Sequence, residues 1–137
     1  MEQPVLVFDG ECGFCMRALG WLQRLDRKHL IEALPYQRPG VAESIGATPS
    51  ECAESVQWRG PDSVRLEGAA AVNAALGTAV GTGLPLKLYR HTAPVQERLY
   101  RLVAENRRRL PGVSPWCVQH PQDCAAGTGG PSCGVRP

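Results

Sequence analysis

The chain has 137 residues, with 15 Lys plus Arg against 13 Asp plus Glu, for a formal charge of +2. That length supports one domain around a single core, and a charge so near balance gives no global electrostatic case for nucleic acid or a membrane surface as a partner. No apolar run approaches the roughly 20 residues of a membrane-spanning helix. No basic segment followed by an apolar stretch and a small-residue cleavage site appears after Met1. The expected compartment is the cytoplasm.

In chain order, Val5 to Phe8 is a continuous apolar run ended by Asp9-Gly10, the pattern of a short buried strand. From Cys12 to about Lys28 the spacing of Cys15, Ala18, Leu19, Leu22 and Leu25 is helical. Leu30 to Tyr36 is a second strand, and Val41 to Ile45 a short helix. Thr48-Pro49 forms a cap followed by proline at the first helical position. Ser55 to Trp58 and Ser63 to Leu66 are strands around the turn-forming tetrad Arg59-Gly60-Pro61-Asp62, which implies a hairpin. Gly68 to about Val80 is an Ala-rich helix broken at Thr82-Gly83. Thr92 to Leu110 is the last helix, with Glu97 and Arg101 as an i,i+4 pair.

The first strand, crossover helix and second strand imply a right-handed parallel pair. The hairpin then adds antiparallel strands. The expected fold class is α/β, with a mixed four-stranded sheet flanked by helices, an extra C-terminal helix and an irregular tail. The domain division follows: residues 1–112 form the folded unit, and 113–137, rich in Gly, Pro and Cys, form the tail.

Six cysteines stand at 12, 15, 52, 117, 124 and 133. In a cytoplasmic chain a Cys-x-x-Cys pair is more often catalytic or metal-binding than a structural bridge. Cys12 opens a helix, where unpaired backbone N–H groups and the helix dipole favour a thiolate. Cys15 returns to the same face one turn later. The chemistry this permits is attack by Cys12 on a disulfide, then resolution by Cys15. Gly13 and Phe14 are a small, uncharged spacer and candidate substrate-contacting residues. Asp9 is placed to accept the Cys15 proton or to position a neighbour. Asp9 and Glu11 disfavour a nearby thiolate while the helix terminus favours it. The expectation is a moderately reducing couple, nearer thioredoxin than DsbA at about −120 mV.

The stretches "FDGECGFCMR" and "LYRLVAENRRRLPG" resemble the DCC family of thiol-disulfide oxidoreductases, named for an Asp-x-x-Cys-x-x-Cys motif matched here by Asp9, Cys12 and Cys15. The second stretch is similar to a family helix ending in Asn-Arg-Tyr, matched by Asn106 and Arg107, with Arg108 at the Tyr position. The resemblance spans about residues 4 to 112 and implies a thioredoxin-like fold and a redox role. Many such folds carry a cis-proline just before the third strand. Ser50 to Val56 holds no proline, and Pro49 stands earlier, so another segment is expected to face the cysteines or substrate to bind differently. No cofactor is expected. The expected partners are a disulfide- or thiol-containing substrate, proteins included, and an upstream electron donor, with no nucleic acid and no membrane.

Three other readings compete. Cys117, His120, Cys124 and Cys133 have a metal-ligand composition, although their spacing fits no usual zinc pattern. The bland alternative is a tail with spare thiols, with a local Cys117–Cys124 bridge under oxidation. "VFDGE" resembles the aspartate nucleophile of haloacid-dehalogenase-type phosphatases, but Glu11 stands where a second Asp is needed. A non-enzymatic interaction module could use Arg107, Arg108 and Arg109. Against that, a basic last turn complements a helix C-terminus and stays solvated. Cys52 is read as a packed residue, and Trp116 as an anchor of the tail on the fold.

Overall fold

The structure is a computed structural model that describes residues 3–107, 109–110, 112–121 and 124. Four strands, β1 (Val5–Phe8), β2 (Glu32–Pro35), β3 (Gln57–Arg59) and β4 (Arg65–Glu67), form one mixed sheet in the order β2-β1-β3-β4. β1 runs parallel to β2, with Val5 opposite Glu32, and antiparallel to β3, with Leu6 opposite Trp58. The sheet and its flanking helices form a thioredoxin-like α/β arrangement, as the residue order implied.

β1 is central, so both its faces are covered and all four of its residues are buried. Alternation sends Val5 and Val7 to one side, against Val41, Ala42 and Ile45 of α2 (Val41–Ser44) and its C-cap, and Cys52 of α3 (Pro49–Glu54). Leu6 and Phe8 face the other side. They pack with Leu19 of α1 (Gly13–Leu25), Trp58, and Ala71 and Ala75 of α4 (Ala69–Val80). Thr48 caps α3 in a full capping box with Glu51, and Pro49 begins the helix.

Several boundaries differ from the sequence expectation. The hairpin strands begin and end one to two residues later, because the turn closes between Gly60 and Ser63 (2.9 Å) rather than at Arg59. The last long helix, α5, spans Leu84–Asn106. Its N-terminal half precedes Thr92, where the backbone leaves helical geometry (φ −123°, ψ 19°). Pro94 lies two residues on, and its missing N–H and ring obstruct continuous helix there. The apolar periodicity therefore restarts at the kink, and the earlier half is masked in the sequence. Glu97, expected to pair with Arg101, accepts a hydrogen bond from the Tyr89 hydroxyl (2.5 Å). Beyond residue 112 the chain forms a further helical turn, α6 (Trp116–Gln119). Trp116 packs edge-on against Phe8 with ring centroids 5.9 Å apart. Among the described residues no helix is long and apolar enough to cross a membrane.

The exit from α1 is fixed by Asp26, which is 5% exposed. Its two carboxylate oxygens accept the Leu30 and Ile31 N–H groups at 2.9 and 3.0 Å, turning the chain into β2. Hydrogen bonds to charged groups contribute about 1.5–3 kcal/mol each. Asp26→Ala is expected to lower unfolding free energy by about 2–4 kcal/mol in urea denaturation. A loss under about 0.5 kcal/mol would show that these bonds do not set the turn.

Candidate dithiol site

The site begins where β1 meets α1. Cys12 is the N-cap of α1, with extended backbone (φ −94°, ψ 112°), and its sulfur accepts the Cys15 N–H at 3.1 Å. A sulfur thus fills the place usually taken by a Ser, Thr, Asp or Asn oxygen. The hydrogen bond from the Cys15 thiol is the largest cause lowering the Cys12 thiol from 9.0 to about 7; the Cys15 N–H and Arg107 act in the same direction, against burial and Asp9. The same shared proton pushes the Cys15 thiol well above its ordinary value, with burial and the Cys12 charge adding to it and Arg107 opposing. The two thiols are split: one is readily ionised and the other holds its proton. Cys52, buried in the opposite cluster, is pushed up to about 11 by its burial.

Asp9 anchors the site. Its Oδ1 accepts the Glu11 N–H and the Gln37 side-chain amide, both at 2.9 Å. Gln37 is buried, and its Oε1 accepts the Gly10 N–H at 3.0 Å. Asp9 Oδ2 accepts from Arg107 Nη2 at 3.0 Å, in an ion pair whose side chains are 19% and 12% exposed for Arg107 and Asp9. The same nitrogen donates to Ala53 O at 3.0 Å, and Nη1 lies 3.9 Å from the Cys15 sulfur. Burial works against the Arg107 charge, yet Asp9 and the two thiols hold it above the usual arginine range.

This corrects the sequence reading of the basic turn. Arg107 is folded inward by Asp9, while Arg109 is exposed as expected and Arg108 lies outside the described residues. The signal for Arg107 was its place in the Asn106-Arg107 match. Gln37 had no signal, since a lone Gln between Tyr36 and Arg38 reads as a loop residue. Among the described residues no peptide bond is cis. The stretch before β3 instead reaches the site through Ala53 O and Arg107.

The two thiols face different surroundings. Cys15, Asp9, Phe14 and Arg107 line one end of a largely apolar cavity of about 600 Å³ between α1, α4 and α5. Cys12 is only 9% exposed. Gly13 is crossed by the C-terminal segment: Val113 N–H donates to Gly13 O at 3.1 Å, and a Cβ on Gly13 would come within 2.6 Å of Val113 O.

The alternative metal set is not assembled among the described residues. Cys117 and Cys124 are joined in a disulfide, which leaves neither sulfur as a thiolate ligand. His120 stacks on Trp116 at 4.0 Å, and Cys133 lies outside the described residues. No group of three His, Cys, Asp or Glu is gathered there.

Alkylation of the reduced protein is expected to rise with pH at Cys12 around a midpoint of about 7, with Cys15 unlabelled in chains whose Cys12 is still free. Arg107 lowers both thiols, so Arg107→Ala is expected to move the Cys12 midpoint upward. Rate against pH, read per peptide by mass spectrometry, checks this. An unmoved midpoint would remove Arg107 from the electrostatics of the pair.

A family model described as DCC1-like thiol-disulfide oxidoreductase matches residues 6–113. No curated protein and no solved structure gives a significant match.

Proposed function

The chain belongs to the DCC1-like thiol-disulfide oxidoreductase family, and we propose that its activity runs through Cys12 as nucleophile and Cys15 as resolving thiol. The observation that carries this reading is the Cys12 sulfur at the N-cap of α1, lowered to about 7 by the Cys15 thiol beside it. Cys12 thiolate attacks one sulfur of a substrate disulfide. A Cys12–substrate disulfide forms, and the other substrate sulfur leaves as a thiolate. Once Cys12 carries no charge, the main cause holding the proton on Cys15 is gone. The proton passes to the leaving thiolate, and Arg107, 3.9 Å away, stabilises the Cys15 thiolate that remains. Cys15 then attacks the Cys12 sulfur. The substrate departs reduced by two electrons, and the protein is left with a Cys12–Cys15 disulfide.

Asp9 serves here as a positioning group. Its oxygens are committed to three donors, and its task is to hold Arg107 beside Cys15. Phe14 and the apolar cavity receive the part of the substrate next to its sulfur, while the Gly13 contact is taken by Val113. A disulfide-bearing protein side chain or a small apolar disulfide fits this cavity. The cytoplasm, where thiols are kept reduced, is the compartment that suits a dithiol poised to donate electrons. A second reading has Cys15 meet the substrate first, because Cys15 rather than Cys12 lines the cavity.

Trapping separates the two. Cys15→Ser is expected to accumulate a mixed disulfide through Cys12, and Cys12→Ser to accumulate none; the reverse pattern would exchange the roles. Asp9→Asn is expected to keep the fold and slow resolution by about tenfold, equivalent to about 1.4 kcal/mol of barrier. Stopped-flow kinetics unchanged from wild type would remove Asp9 from the mechanism.

A further inference from the structure

The segment after α5 is tied to the dithiol loop at two points. At the first, Val113 N–H donates to Gly13 O (3.1 Å), and Gly112 lies so close to Gly13 and Phe14 that a Cβ on it would overlap their backbone. At the second, Cys117 N–H donates to Gly10 O at 2.9 Å. Cys12 sits in sequence between those two anchor points, and it is the more enclosed of the two thiols.

The Cys117 sulfur is seated on Gly10. A Cβ at that glycine would lie 3.2 Å from the sulfur, with Gln37 Oε1 and Pro35 Cβ at 3.0 and 3.1 Å on its other sides. A side chain at Gly10 would crowd the disulfide, so its neighbours would have to shift by a few tenths of an ångström. Gly10 and Cys12 are two Cα steps of about 3.8 Å apart. A disulfide therefore rests within a few residues of the more ionisable thiol of the pair. Cys117 and Cys124 are 3% and 6% exposed, which shields them from thiols in solution. Their bridge spans only 7 positions, so it constrains the unfolded chain less than a longer loop would. In a reducing compartment, disulfides that persist are usually catalytic or sensing.

We propose that Cys117 and Cys124 form a second redox pair that exchanges electrons with Cys12 and Cys15 inside one chain. The proposal rests on the dithiol reading above. In the exchange, Cys12 thiolate attacks the Cys117 sulfur, a Cys12–Cys117 disulfide forms, and Cys124 leaves as a thiolate and takes the Cys15 proton. Cys15 thiolate then attacks the Cys12 sulfur and releases Cys117 as a thiolate. Cys12 and Cys15 are oxidised by two electrons, Cys117 and Cys124 are reduced by two, and no outside oxidant is needed. The reverse sequence carries oxidising equivalents from the dithiol back to the C-terminal pair.

The test is a Cys15→Ser, Cys124→Ser double variant of the full chain, oxidised with glutathione disulfide and mapped by peptide mass spectrometry. The expected product is an intrachain Cys12–Cys117 disulfide whose yield is unchanged by tenfold dilution. Separate glutathione adducts on Cys12 and Cys117, with no link between them, would overturn the proposal. Wild-type protein in the same maps separates the two levels of failure. A reversible Cys12–Cys15 disulfide there leaves the dithiol reading standing without the relay, and its absence removes both. The wild-type chain also supplies a measurement free of substitutions. Fully reduced protein given one equivalent of diamide is expected to settle to one ratio of the two disulfides, read by peptide mass spectrometry. A disulfide that stays on the first pair to form would overturn the exchange.

Discussion

The ion pair between Arg107 and Asp9 joins residues 98 positions apart and holds the site together. One end is the loop between the central strand and the first helix. The other is the C-terminal end of α5, which has no buried residue along its 23-residue length. Elsewhere α5 is tied to the fold by the Tyr100 hydroxyl, which accepts the Val56 N–H at 2.9 Å, and by Gln96, which accepts from the Asn73 amide at 2.7 Å. Breaking a largely buried pair by removing one partner leaves a charge without compensation, at a cost on the order of 3–5 kcal/mol. The same guanidinium reaches Ala53 O before β3 and lies beside the Cys15 sulfur, so one side chain links three elements to the chemistry.

Around that pair the charges are arranged by sign. Arg107 favours thiolate at both cysteines, and Asp9 disfavours it. The helix N-terminus and the Cys15 thiol decide which sulfur ionises first. Asp9 therefore opposes the thiolate through its own charge and supports it by holding Arg107 in place. The cost of the first effect is tolerated because the carboxylate is also the peg for the loop: Gln37 bonds both Asp9 and Gly10, and ties the loop to the residues after β2. The two sulfurs then divide the surroundings. Cys15 borders the apolar cavity, and Cys12 is enclosed next to the C-terminal segment.

Much of this was legible from local pattern. The run Val5 to Phe8, the helical spacing after Cys12 and the Thr48-Pro49 cap are signals within a few residues, and each element formed where those signals stood. The dithiol was legible for the same reason, since Cys12 and Cys15 lie within one helical turn. Trp116 was also placed correctly, because a large aromatic in a polar tail has few places to go except the core. The rest depended on contacts distant in sequence. Arg107 looked like one of three solvated arginines until Asp9, near the other end of the chain, gave it a partner. Gln37 is buried by its bonds to Asp9 and Gly10, which no spacing rule encodes. The kink at Thr92 hid the first half of α5, because Pro94 interrupts the helical periodicity there. The tail from residue 113 read as irregular because Gly and Pro erase periodicity, yet α6 docks through Trp116 and Cys117.

The proposed reading makes Cys12 and Cys15 one two-electron couple set by this loop. Equilibrating the purified chain in glutathione or dithiothreitol buffers of defined potential, with each cysteine read by differential alkylation, decides whether it is so. The expected result is one reversible two-electron transition localised to Cys12 and Cys15, at a potential nearer the thioredoxin value of about −270 mV than the DsbA value of about −120 mV. Two cysteines that stay independent thiols across the whole range, forming only separate adducts with the buffer, would contradict it.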